Sequence, residues 1–140
     1  TTTKKISDRK STFDFGHNLG MAFQIKDDLF DIIGSESETG KNGNSDVKKN
    51  MITLPLIYSR TQMTRSQKRH LNRLLSAKRK TKNILSKIQE LVEETGGIQY
   101  SIDKMKEYSD LALKAISHYP DTLIKTSLTN LVEYNGSRKK

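Results

Sequence analysis

Four oxygen-bearing side chains lie close together early in the chain, in the segment Gln24-Ile25-Lys26-Asp27-Asp28-Leu29-Phe30-Asp31. Counted from Gln24, the amide and the three aspartates stand at positions i, i+3, i+4 and i+7, which share one face of an α-helix. Three carboxylates one turn apart repel one another on a bare helix. A divalent cation removes that repulsion, and carboxylate oxygens are ligands that magnesium prefers. The spacing therefore suggests a magnesium site, with an ordinary solvated acidic face as the alternative.

The residues that follow could bring a cation and a further carboxylate to the same place. Lys41, in Thr39-Gly40-Lys41, lies ten residues beyond Asp31, where a loop could fold it back towards phosphate oxygens held by the metal. Asp46 comes next and could orient a metal-bound water. The segment ends in Thr53-Leu54-Pro55-Leu56, which has the features of a helix start: a threonine as N-cap and a proline in the first turn.

These motifs, in this order, resemble the C-terminal half of a trans-polyprenyl diphosphate synthase of the medium- and long-chain bacterial, heptaprenyl type. The resemblance runs in register from about Phe15 to Tyr58. It rests on the run Phe15 to Asp31, the Gly40-Lys41 loop with Asp46, and Thr53-Leu54-Pro55-Leu56. Beyond Tyr58 it is supported only by the helix pattern and a basic C-terminus.

The resemblance implies a metal-binding role for four carboxylates. Asp27 corresponds to the main magnesium ligand of the family's second aspartate-rich motif, and Asp28 and Asp31 complete that motif. Asp46 corresponds to a carboxylate in the outer shell of the metal. The implied cofactor is magnesium.

The resemblance also implies two groups that bind substrate. Gln24 corresponds to the amide on the side of the allylic diphosphate, and Lys41 to a lysine that grips that diphosphate. In the family, magnesium helps diphosphate leave an allylic substrate, and isopentenyl diphosphate attacks the resulting cation in a head-to-tail condensation. Because negative charge grows on the departing diphosphate, fixed cations stabilise the transition state more than the ground state. The implied catalytic residues are Asp27 and Lys41.

The chain departs from the family pattern in two ways. Asn50 and Met51 stand where the family usually has Gly-Lys, although Lys48 and Lys49 lie nearby. The first aspartate-rich motif and the Arg-rich isopentenyl site would belong upstream of Thr1. We therefore expect residues 1–140 to be the C-terminal portion of a synthase domain, inactive alone, with apolar faces that the upstream half would cover. A non-catalytic or regulatory synthase subunit is the alternative.

Hydrophobic spacing predicts an all-α chain, the C-terminal part of an isoprenoid-synthase-type bundle with about six helices. The first helix is predicted to start with a cap at Ser11 or Thr12 and to end near Ile33, before a loop over residues 35–50. The apolar flank of this helix is predicted to pack in a bundle wall; it consists of Ile25, Leu29, Ile32 and Ile33. Phe23 and Phe30 are interpreted as core residues in preference to the lining of a prenyl cavity. Five further helices are predicted: from Thr53 to Arg60, after a cap at Thr64, from Ile84 to a stop at Gly96-Gly97, from Ile98 to Ile116, and from Asp121 to Tyr134.

Composition restricts the remaining function classes. The 140 residues carry a net charge of +9 and no cysteine, which excludes a disulfide scaffold and thiolate chemistry. No apolar run approaches the roughly 18 residues of a membrane span, so we expect a cytoplasmic protein. The resemblance implies isopentenyl and allylic prenyl diphosphates as substrates, and a homodimer or heterodimer as the assembly.

Residues 60–89 contain ten Lys or Arg and no Asp or Glu. Solvated helix faces are the favoured interpretation of this segment. A basic helical module that binds nucleic acid or a protein partner is the alternative of a different class, although the segment lacks the aromatic residues of single-strand binders, and no specific nucleic acid is predicted. Peripheral contact with an anionic membrane is a further alternative.

Overall fold

The computed structural model describes residues 6–33, 47 and 52–138. These residues form six α-helices and no strand, which confirms the prediction of an all-α chain with about six helices. The helices are α1 (Ile6–Ile33), α2 (Leu54–Gln62), α3 (Arg65–Leu75), α4 (Lys82–Glu94), α5 (Gly97–Ile116) and α6 (Leu123–Ser137). Among the described helices, none combines the length and the hydrophobicity that a membrane span requires.

The first helix starts earlier than predicted. A cap at Ser11 or Thr12 was expected, but α1 already begins at Ile6. The hydroxyl of Thr12 donates to the carbonyl oxygen of Asp8, 2.8 Å away and one turn earlier, as threonine does inside a helix. The predicted start is therefore wrong, and α1 extends as far as Ile33, the predicted end.

Local capping chemistry explains most of the other boundaries. Thr64 forms a capping box with Gln67: its hydroxyl accepts from the Gln67 N–H at 3.3 Å, and Gln67 Oε1 accepts from the Thr64 N–H at 2.9 Å. Gly96 follows the end of α4 with φ of +76°, a conformation that favours glycine. The last helix begins at Leu123, two residues later than predicted, because the hydroxyl of Thr122 caps it by accepting from the Lys125 N–H at 3.3 Å.

The described residues divide into two compact units, and α1 and α5 each contribute to both. The first unit contains residues 6–26 and 103–138. Its core joins α1, α5 and α6 through Phe15, Ala112, Ile116 and Val132. The phenol of Tyr119 donates to the carbonyl oxygen of Asp8 at 3.3 Å, which ties the segment after α5 to the start of α1.

The second unit contains residues 27–33, 47 and 52–102. The last turn of α1 packs there with α2, α3 and α4 in a core of Ile32, Val47, Leu56, Met63, Leu71, Leu74, Leu85, Ile88 and Val92. The start of α5 approaches α2 closely: a Cβ at Gly97 would overlap the Ser59 hydroxyl and the carbonyl oxygen of Pro55. Ser59 is fully buried and donates to the carbonyl oxygen of Val92 at 3.3 Å.

Candidate functional site

The four oxygen-bearing residues lie in the C-terminal half of α1, where the helix keeps them in register. Gln24 is exposed, Asp27 and Asp28 are half-buried, and Asp31 is buried with 5% of its surface exposed. The predicted packing flank is confirmed for three of its four members, the buried Ile25, Leu29 and Ile32. The prediction is wrong for Ile33, which is 45% exposed at the end of the helix.

Asp31 holds the chain where it returns to α1. Its Oδ2 accepts a hydrogen bond from the backbone N–H of Val47 at 3.3 Å, and Val47 itself lies in the core. The bond joins residues 16 apart in sequence. Because both partners are buried, the bond pairs a carboxylate with a backbone donor away from water.

The Asp28 carboxylate also accepts a backbone hydrogen bond, at the start of α2. Its Oδ2 accepts from the N–H of Leu54, the first residue of that helix, at 3.1 Å. Thr53 occupies the N-cap position, as predicted, but its side chain makes no capping hydrogen bond, and its hydroxyl is buried without a partner. The acceptor for this helix start therefore comes from α1, 26 residues earlier, and not from the residue next to it.

Replacing Asp31 by Ala is expected to lower the free energy of unfolding of the full chain by about 2 kcal/mol. The substitution removes the buried, charged acceptor to which the Val47 N–H donates. Denaturant unfolding measures the loss, and hydrogen exchange should show a less protected Val47 amide. Asp110→Ala, at an exposed position on α5, is the control and should change stability by less than about 0.5 kcal/mol. Equal stability of the two variants would contradict the role of Asp31.

The other predicted site residues fall outside what the structure describes. Lys41 and Asp46 lie outside the described residues, as do Asn50 and Met51. Within residues 6–33, 47 and 52–138, no group of three or more His, Cys, Asp or Glu side chains is arranged to hold a metal ion. In the described part of the site, Gln24 and the three aspartates share one helix, and two of the aspartates contact backbone donors of later segments.

A contact that the sequence did not predict lies beside Gln24, between α1 and the end of α6. Lys26 Nζ donates to the carbonyl oxygen of Gly136 at 3.0 Å. The Arg138 guanidinium lies 3.9 Å from the centroid of the Phe23 ring and donates to the Phe23 carbonyl oxygen at 3.4 Å. Partial burial lowers the pKa of Lys26 below its ordinary value, and the nearby charge of Arg138 lowers it further.

This contact corrects the interpretation of Phe23 as core. Phe23 is 45% exposed, and the Arg138 cation lies over one face of its ring. Phe30, by comparison, is half-buried. The sequence marked the C-terminus only as basic, because no local pattern links two residues that are 115 positions apart.

Comparison with known proteins places these features in a family. A family model described as Polyprenyl synthetase matches residues 2–94. The geranylgeranyl diphosphate synthase of Saccharolobus solfataricus is 32% identical over 133 residues, which cover 94% of this chain and 40% of that protein. Solanesyl-diphosphate synthase 2, chloroplastic, of Oryza sativa subsp. japonica is 30% identical over 126 residues, covering 90% of this chain and 30% of that protein. Heptaprenyl diphosphate synthase component 2 of Bacillus subtilis is 28% identical, covering 93% and 36%.

Solved structures show the same helical arrangement. A polyprenyl synthase from Caulobacter crescentus, complexed with calcium and isoprenyl diphosphate, superposes with a TM-score of 0.85 at 26% identity and covers 97% of this chain and 42% of its own. A geranylgeranyl pyrophosphate synthetase from Pyrococcus horikoshii gives a TM-score of 0.89 at 25% identity, covering 98% and 41%. The chain therefore spans less than half the length of these proteins, and the predicted bundle type is confirmed.

Proposed function

Because this chain belongs to the polyprenyl synthetase family, we propose that it forms one wall of the active site of a polyprenyl diphosphate synthase. The proposed reaction is the head-to-tail condensation of isopentenyl diphosphate with an allylic diphosphate, and residues 1–140 are proposed to be the C-terminal portion of the synthase domain. The main support for this proposal is the aspartate motif on α1. There the exposed amide of Gln24 lies one turn before the half-buried carboxylates of Asp27 and Asp28.

Magnesium fits the oxygen donors that α1 offers. This ion is usually held by one or two carboxylates, and water and phosphate oxygens complete its shell, so it needs no cage of three protein ligands. We propose Asp27 as its direct ligand and Asp46 as an outer-shell carboxylate. Asp28 and Asp31 belong to the same motif and also fix the backbone of Leu54 and Val47. When bound, magnesium supplies positive charge that stabilises the departing diphosphate.

The chain's own residues would bind and orient the diphosphate head. The amide of Gln24 is exposed on α1 and can donate hydrogen bonds to phosphate oxygens. Lys41 is proposed to place its ammonium against the same diphosphate, where charge develops as the allylic bond breaks. The carbon–carbon bond then forms between the allylic carbon and isopentenyl diphosphate, and loss of a proton restores a double bond. Asp27 and Lys41 are the proposed catalytic residues.

The proposed assembly is a dimer in the cytoplasm. Both a homodimer and a heterodimer are compatible with the family. The similarity to a protein named component 2 of heptaprenyl diphosphate synthase supports the heterodimer.

The direct test is turnover by the protein that carries this chain together with the synthase segments that its relatives possess. Supplied with isopentenyl diphosphate, an allylic diphosphate and magnesium, it should form polyprenyl diphosphate, and chelation of the metal should abolish product. The 140-residue chain alone should bind magnesium pyrophosphate without turnover. Diphosphate binding without product in the longer protein would identify a non-catalytic subunit, and absence of both activities would reject the proposed function.

A further inference from the structure

The net positive charge of the chain arises from one segment. Residues 60–89 contain ten basic and no acidic side chains, whereas the other 110 residues contain 15 basic and 16 acidic ones. This segment therefore supplies the whole net positive charge of the protein. It comprises the end of α2, all of α3, and the first half of α4.

The fold presents these charges on the outside of the second unit. Arg65, Arg69 and Arg73 recur every four residues along α3 and are all exposed, while Leu71 and Leu74 are buried on its other side. The connection to α4 and the exposed side of α4 add further cations. We call the set the basic surface, and it consists of Arg65, Lys68, Arg69, Arg73, Lys78, Arg79 and Lys87.

The part of the chain that the structure describes supplies no acidic partner to this surface. Within the described residues, none of its seven side chains makes an ion pair, whereas exposed pairs do form elsewhere, between Lys104 and Glu107 and between Lys125 and Asp121. Acids placed one turn from these bases would stabilise a solvated helix face. The absence of such pairs here argues against an ordinary solvated face.

The placement of the charges also opposes helix stability. Neither α3 nor α4 has an acidic residue in its first turn; they begin instead with Arg65 and Lys82. The N-terminal end of a helix carries partial positive charge, so cations there are unfavourable. Local choices that reduce helix stability are often found at functional surfaces.

We propose that the basic surface docks on an anionic phospholipid bilayer. Every exposed residue of α3 is polar or charged, so the contact is adsorption to headgroups without insertion. Residues 60–89 contain no Phe, Tyr or Trp on which nucleic-acid bases could stack. The choice of a bilayer rests on the proposed function, because a polyprenyl product has a long hydrocarbon chain that leaves water for a membrane.

Vesicle co-sedimentation of the full chain, without metal or diphosphate, tests the proposal independently of enzyme activity. Vesicles containing 30 mol% phosphatidylglycerol should bind the chain, and pure phosphatidylcholine vesicles should not. Each basic residue near an anionic bilayer contributes roughly fivefold in affinity, so Arg65→Gln/Arg69→Gln/Arg73→Gln should weaken binding about a hundredfold. Raising the salt concentration from 50 to 200 mM should weaken wild-type binding steeply, because surface charges are screened.

A matched control removes the same charge elsewhere. Lys10→Gln/Lys106→Gln/Lys114→Gln, at exposed positions on α1 and α5, should reduce binding only a few-fold. Arg65→Lys/Arg69→Lys/Arg73→Lys should retain binding, and circular dichroism checks that each variant is helical. Equal losses in the two neutralised variants, equal binding to phosphatidylcholine, or stronger binding to DNA than to vesicles at the same phosphate concentration would each overturn the proposal.

Discussion

Replacing Asp27 by Ala is expected to lower kcat of the proposed polyprenyl diphosphate synthase by at least about a hundredfold. The proposed direct ligand of magnesium is lost, and with it the charge that stabilises the departing diphosphate; a single electrostatic contact of this kind is worth roughly 100- to 1,000-fold in rate. The KM for isopentenyl diphosphate should change much less, because that substrate carries no leaving group in the reaction. Steady-state kinetics with each substrate varied in turn separates the two effects.

The control for Asp27 is an aspartate on the same helix. Asp14 is half-buried on α1 but lies more than three turns before the motif, so Asp14→Ala should leave turnover within about twofold. Calorimetry on the 140-residue chain gives a second readout, since Asp27→Ala should also weaken the binding of magnesium pyrophosphate. Unchanged turnover and unchanged pyrophosphate binding in the Asp27 variant would rule out the assigned metal site.

Gly97→Ala is expected to destabilise the fold by about 3 kcal/mol. The added methyl group would overlap the Ser59 hydroxyl and the Pro55 carbonyl oxygen, and a backbone atom cannot move away without shifting α2. Thermal unfolding followed by circular dichroism should show a midpoint lower by about 10 °C. Because the destabilisation comes from packing within the fold, it can be measured without any ligand.

Gly136→Ala provides the comparison for this substitution. Gly136 also lies in a helix, but a Cβ there would meet no atom within 4 Å, so alanine should be neutral or stabilise the chain by up to about 1 kcal/mol. Adding Ser59→Gly to Gly97→Ala should recover part of the lost stability. If the two glycine variants unfold at the same temperature, α5 does not approach α2 as closely as described.

Periodic apolar spacing and short-range capping signals were enough to predict most of the helices. Both operate over three to seven residues, so the Thr64 cap and the glycine stop after α4 could be assigned from neighbouring residues alone. The start of α1 could not, because a threonine inside a helix and a threonine at its cap look the same in sequence. The hydroxyl of Thr12 distinguishes them only through its bond to Asp8.

The candidate site shows the same limit at longer range. Sequence spacing placed Gln24 and the aspartates on one helix, which the structure confirms. It could not reveal that Asp28 and Asp31 accept from Leu54 and Val47, because those bonds depend on how the chain returns to α1. A carboxylate that holds the backbone and one that binds a metal are the same residue type, and only tertiary contacts separate them. The metal-binding and diphosphate-binding roles stay predictions.

The unbroken course of α1 has a consequence for substrates of different size. Gln24 and Asp27 are three residues apart on α1, which corresponds to a rise of about 4.5 Å along an α-helix axis. A growing polyprenyl chain changes the length of its tail at every cycle while its diphosphate head stays the same. In the proposed synthase, attachment of the diphosphate head to one helix turn would make binding of the head independent of tail length.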